Sequence, residues 1–151
     1  GDQENGLRGG TQNYIGIETL PPAIDYLKEK MCQIGEVESL RNHFEKKLTE
    51  IYPQITIFGK EEKRVCNTSF LSFQGSNAQK LQEHLQQEKI FVTTSSACSD
   101  FNNKTSKVLE AMGIDELTAK GAIRISFGLT PQKNDFDSCF ESLNRFYQKL
   151  T

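Results

Sequence analysis

Cys98 is the side chain in this sequence whose surroundings best suit chemistry. It stands in the run Thr94-Ser95-Ser96-Ala97-Cys98-Ser99-Asp100, followed by Phe101, Asn102 and Asn103. So many small polar residues predict a surface loop. A thiol on such a loop can ionise and attack. At the reference pKa of about 8.5 only a few per cent is thiolate at neutral pH, and a nearby base or cation raises that share. Free cysteine is also among the most buried residue types, so a small core hydrophobe stays open as a reading. Cys32, Cys66 and Cys139 fall in helix or strand patterns, where core packing is expected. There is no CxxC pair and no Cys/His spacing of the zinc type. His43 and His84 are the only histidines, too few for a His-based metal site. His43 reads as an exposed or half-buried helical residue, and His84 as the edge of a polar helix face.

Arg124 is the second candidate. It lies in Gly121–Gly128, GAIRISFG, where Ile123, Ile125 and Phe127 share one face of a strand and Arg124 and Ser126 the other. Its planar fork matches a carboxylate. It either lines a cleft or snorkels to solvent from an edge strand. The opening Arg8-Gly9-Gly10-Thr11-Gln12-Asn13 joins a cation, flexible glycines and a hydroxyl just before a helix. That combination suits a phosphate or anion, and equally an ordinary turn and cap.

The elements that position these residues follow from periodicity. Residues 1–13 read as loop. Ile17, Leu20, Ala23, Ile24, Leu27 and Met31 recur at helical spacing, with Pro21-Pro22 in a first turn or at a kink. Gly35 interrupts the pattern. Val37, Leu40, Phe44, Leu48 and Ile51 make a second stripe that Pro53 stops. Strands are predicted at Ile55–Phe58, Val65–Phe73 and Ile90–Thr93. A helix capped by Ser76 carries Ala78, Leu81 and Leu85, and another capped by Thr105 ends at Gly113. The closing helix carries Phe136, Phe140, Leu143, Phe146 or Tyr147, and Leu150. The order is helix-helix-strand-strand-helix-strand-helix-strand-helix, an α+β domain with a small sheet and helices packed on it.

Composition excludes several classes. The 151 residues hold 18 Lys and Arg against 20 Asp and Glu, a net charge of −2, with no basic stripe for nucleic acid. No apolar run approaches membrane-spanning length and no signal-peptide pattern opens the chain. Scattered cysteines suit a reducing, cytoplasmic location. The first residue is Gly1, not Met, so the sequence reads as a processed or truncated product.

Together these segments resemble the cysteine desulfurase and selenocysteine lyase family, the NifS-like group of fold-type I pyridoxal-phosphate enzymes (class V aminotransferases). GDQENGLRGGT, Gly1–Thr11, resembles the family's GGQE…RxGT loop, with Asn13 fitting the asparagine that often follows it. Lys63-Arg64-Val65-Cys66-Asn67-Thr68 resembles its R-x-P-N-T segment, with Cys66 where proline is usual. Ser95-Ser96-Ala97-Cys98-Ser99 resembles its S-x-A-C-[ST] active-site loop, and Gly121–Gly128 its A-[IL]-R-x-S-x-G strand.

The resemblance implies the small C-terminal domain of such an enzyme, at 14–151, with 1–13 belonging to the end of an absent cofactor-binding large domain. It implies that Cys98 takes sulfur from L-cysteine, leaving alanine and a persulfide, and that Arg124 grips the substrate carboxylate. Gly10 and Thr11 would touch the pyridoxal phosphate of a partner subunit in a homodimer. The sulfur acceptor would be a protein such as an iron–sulfur scaffold, or a thiolation partner. The family's cofactor lysine follows a histidine, yet here His43 precedes Phe44 and His84 precedes Leu85. The Schiff-base lysine is therefore expected outside this chain, and the chain alone is expected to be inactive. Selenocysteine as substrate, or a free-standing persulfide carrier, are the alternatives.

Overall fold

A computed structural model of the chain describes residues 3–95 and 106–149. The chain divides into two compact units, Gly1–Cys32 and Gln33–Thr151, so the division falls well after residue 13.

In the first unit, Asn13 caps helix α1 (Tyr14–Glu18) by accepting from the Gly16 amide at 3.1 Å. Thr19 ends it, and α2 (Leu20–Lys30) follows with Pro21 in its first turn. There the missing N–H of proline removes no helical bond. The predicted apolar stripe exists, but Ile17, Leu20, Ile24, Leu27 and Met31 are all exposed.

A 3-10 turn, Met31–Gln33, spans the boundary, and the second unit continues into α3 (Ile34–Ile51). Gly35 thus lies in the first turn of this helix and does not break it. Val37, Phe44 and Leu48 are buried as their spacing predicts, and the helix stops before Pro53. Strands β1 (Ile55–Ile57), β2 (Thr68–Phe73), β3 (Thr93–Thr94) and β4 (Ala122–Ser126) form one antiparallel sheet in the order β1-β2-β4-β3. Its inner face carries Ile55, Leu71, Phe73, Ile123 and Ile125. That face packs with Phe44 and Leu48 of α3, Leu81 and Leu85 of α4 (Ala78–Gln87), and Phe136, Phe140 and Leu143 of α7 (Lys133–Tyr147). Each such side chain contributes about 1.5–3 kcal/mol on burial, which makes this layer the main source of stability.

Differences from the sequence expectations have local causes. The strand predicted at 65–73 begins only at Thr68, because the residues before it are held by α3. Glu45 receives both Arg64 nitrogens at 2.8 and 2.9 Å, and Arg41 donates to the Val65 carbonyl at 3.2 Å. The third strand shrinks to two residues, the Val92 carbonyl being taken by the Gln82 side chain at 2.7 Å. Asn77, not Ser76, caps α4, accepting from the Gln79 and Lys80 amides. Thr105, the expected cap of the next helix, lies outside the described residues. That helix is α5 (Lys107–Ala111), and Gly113 past its end takes φ 73°, the left-handed conformation that favours glycine.

A short helix that periodicity did not predict, α6 (Glu116–Lys120), precedes β4. Asp115 nucleates it, its carboxylate accepting from the Thr118 amide at 2.9 Å and the Thr118 hydroxyl at 2.7 Å. Gly121 then runs so close to β2 that a Cβ there would stand 2.3 Å from the Phe73 carbonyl oxygen. No described helix is long and apolar enough to cross a membrane.

Candidate functional site

Among the described residues of the second unit, helices cover one half of the outer face of the sheet. At the Ala122 end, α5 and α6 lay Leu109 and Ala119 against Ala122 and Phe58, with Phe70 and Ile114 partly buried beside them. The Ser72 hydroxyl donates to the Thr118 carbonyl and ties α6 to β2. Beyond that cover, the outer face of β4 carries the exposed polar residues Arg124 and Ser126. Arg124 stands there, opposite Phe70 of β2 and Thr93 of β3. Thr68 and Ser126 follow as the next cross-strand pair, their hydroxyl oxygens 3.2 Å apart.

Alternation along β4 puts Arg124 here, since Ile123 and Ile125 must both face the core. β4 is an interior strand, so Arg124 does not sit on the edge of the sheet. Its side chain is exposed, and no carboxylate among the described residues pairs with it. Arg41 and Arg64, by contrast, are bound to Glu38 and Glu45. The Glu45 partner raises the pKa of Arg64 further, fixing that charge in a structural pair. Among the described residues, Arg124 is therefore a guanidinium without a carboxylate partner, standing on a polar face with hydroxyls on one side.

Cys98 lies outside the described residues. The last described residue before it is Ser95, whose amide donates to the Ala122 carbonyl at 3.2 Å and whose hydroxyl donates to the Ala119 carbonyl at 3.4 Å. Ser95 is thus pinned beside β4, two residues along that strand from Arg124.

The other three thiols divide differently from the expectation of core packing. Cys139 conforms, being 2% exposed on the inner side of α7, and burial pushes its thiol up to about 12. Cys66 is only half-buried. Cys32 is exposed, its thiol donating to the Glu29 carbonyl at 3.0 Å, because the 3-10 turn that carries it buries nothing.

In the first unit, Gly10 and Thr11 lie on an exposed turn. The Gly10 amide is taken by the Gln3 side chain at 3.0 Å, and Arg8 is occupied by the Gly10 and Thr11 carbonyls at 3.3 and 2.9 Å. A Cβ at Gly10 would meet nothing within 4 Å. The polar groups of this turn are thus engaged with one another among the described residues. Among the described residues no cluster of His, Cys, Asp and Glu is suited to a metal.

Sequence reasoning gave no role to Asn67, whose side-chain amide donates to the Phe127 carbonyl at 2.6 Å. It also missed α6, for which the Asp115-x-x-Thr118 spacing was an available capping signal.

This arrangement has known counterparts. The sequence profile of the aminotransferase class-V family matches residues 1–138, and the chain belongs to that family. Within it, the chain is similar to a cysteine desulfurase IscS of Dictyoglomus turgidum, 32% identical over 99% of this chain and 38% of the relative. A cysteine desulfurase of Sinorhizobium fredii is likewise 32% identical, over 99% of this chain and 39% of the relative. The crystal structure of a NifS-like protein from Rickettsia africae superposes with a TM-score of 0.83 at 27% identity, over 98% of this chain and 38% of that one. The chain thus spans well under half the length of the relatives it matches.

Proposed function

We propose that this chain is the C-terminal part of a pyridoxal-phosphate-dependent cysteine desulfurase, with residues 14–151 in its small domain and 1–13 belonging to the large one. The observation that carries the reading is Arg124, an exposed guanidinium with no carboxylate partner among the described residues, on a polar sheet face near Ser95, three positions before Cys98 in sequence. Similarity to named cysteine desulfurases along 99% of the chain supports it.

In this reading Arg124 receives the carboxylate of L-cysteine through its two-pronged fork. Cys98 follows Ser95 by three positions in the sequence. As thiolate it attacks the substrate sulfur; an S–S bond forms, the substrate Cβ–S bond breaks with its electron pair left on the substrate carbon, that carbon takes up a proton, and alanine leaves with a persulfide remaining on Cys98. Pyridoxal phosphate, held by a lysine outside this chain, supplies the electron sink that makes that C–S bond labile. Gly10 and Thr11 would be the residues of this chain that hold its phosphate, in a homodimer. The persulfide passes to a sulfur-acceptor protein serving iron–sulfur assembly or thiolation, in the cytoplasm.

The test is made in the longer protein that carries this segment. Cys98→Ala should abolish persulfide on the protein and alanine release from L-cysteine, while Cys32→Ala should leave both intact. Persistent persulfide and normal turnover in Cys98→Ala would refute the assignment.

A further inference from the structure

We propose that Asn67 is a positioning residue for Arg124, holding the outer end of β4 so that the guanidinium keeps one direction; the inference rests on Arg124 as the carboxylate-binding residue.

The β2–β4 register pairs Thr68 with Ser126, so the next step of the ladder would pair Asn67 with Phe127. In a hydrogen-bonded antiparallel pair, each residue donates its own N–H to the other's carbonyl. Half of that pattern is kept, the Phe127 amide donating to the Asn67 carbonyl at 2.8 Å. The other half is made by the Asn67 side chain, whose Nδ2 donates to the Phe127 carbonyl at 2.6 Å. A side-chain amide thus stands in for a main-chain donor. The ladder closes one step further than the strand itself, while the backbone at 66–67 turns away toward the segment that α3 holds.

The inner side of the same point is fixed as well. The Phe127 ring stacks on Phe136 at 3.7 Å and meets Phe44 edge-on at 5.6 Å. Phe127 is three residues from Arg124, and among the described residues the Thr68–Ser126 hydroxyl pair is the side-chain contact that holds this end on the outer face. Without the Asn67 donor, the Phe127 carbonyl loses its partner and the strand end frays. The effect should fall on the binding of the substrate carboxylate rather than on the sulfur transfer itself. Sequence alone made Asn67 part of a motif; its amide acquires a reason only from this pairing.

The experiment is a double-mutant cycle on Asn67→Ala and Arg124→Ala in the longer protein, with amide exchange measured on the present chain. Asn67→Ala should raise the KM for L-cysteine about 5–10-fold with kcat within about twofold, and should raise it no further when Arg124 is already alanine. In this chain, the same substitution should speed exchange of the Phe127 amide and leave that of Leu81 and Leu85 unchanged. A KM unchanged by Asn67→Ala, or raised equally in both backgrounds, overturns the inference while leaving Arg124 in place. A KM unchanged by Arg124→Ala overturns the carboxylate reading and this one with it. Should Asn67→Ala fail to fold, Asn67→Gln, which keeps a donor on a longer arm, enters the same cycle with a smaller expected rise and the same refuting outcomes.

Discussion

Cys139 should be the most protected thiol of the chain while it is folded, and the size of the protection follows from its burial. Its pKa is pushed up to about 12, because the thiolate would lose its hydration on the inner side of α7. At pH 8 a thiol of that pKa is ionised to about one part in ten thousand, against about a quarter for a reference thiol near 8.5. A more basic thiolate is a better nucleophile, with a Brønsted slope of about 0.4–0.5, which returns about 40-fold of the difference. Ionisation alone then leaves about a 50-fold deficit, and the 2% exposure of the residue adds a steric one. Alkylation at limiting iodoacetamide, read by peptide mass, should mark Cys32 and Cys98 long before Cys139, and urea should remove the difference. Labelling of Cys139 within tenfold of Cys32 in the folded chain would refute the burial argument. Linkage supplies a second reading of the same group. The folded state holds this proton more tightly than the unfolded state, so stability is fully present below about pH 8.5 and falls as pH rises toward 12. The slope reaches about 1.4 kcal/mol per pH unit, and Tyr147, raised by burial in the same direction, adds to it above pH 10. A urea midpoint that stays constant from pH 8.5 to 11 would contradict this.

Three further outcomes are expected. Gly121→Ala should lower stability by about 1–3 kcal/mol in urea unfolding, since the new Cβ stands 2.3 Å from a backbone oxygen that only a shift of β2 can relieve. Glu45→Ala should cost about 3–5 kcal/mol because it strands the half-buried Arg64, whereas replacing the pair together with apolar residues of similar volume should cost far less; equal losses would show that the pair's partner does not matter. In the longer protein, Arg124→Lys should restore only part of the cysteine affinity lost in Arg124→Ala, because an ammonium lacks the fork; full restoration would reduce the residue to a simple charge.

The sequence by itself determined the elements whose own pattern is strong. The alternation of Ile123, Ile125 and Phe127 against Arg124 and Ser126 fixed both the strand and the side on which the arginine stands. The spacing of Phe136, Phe140, Leu143 and Tyr147 placed α7 and its buried face. The motifs at 1–11 and 63–68, around Cys98 and along the Arg124 strand carried the family resemblance. Periodicity records that a face is apolar, however, and not what covers it. The stripe at 17–31 is as regular as the one at 37–51, yet the first is exposed and the second meets the sheet. Cys32 and Cys139 looked alike for the same reason, and only packing separates an exposed thiol from one pushed to about 12. Strand ends were likewise decided at long range. The start of β2 depends on Arg41 and Glu45, which are bonded to residues 19 to 24 positions away, and the end of the β4 ladder on a side chain 60 positions distant. A local pattern cannot encode such pairings, because they exist only once α3, β2 and β4 have been brought together.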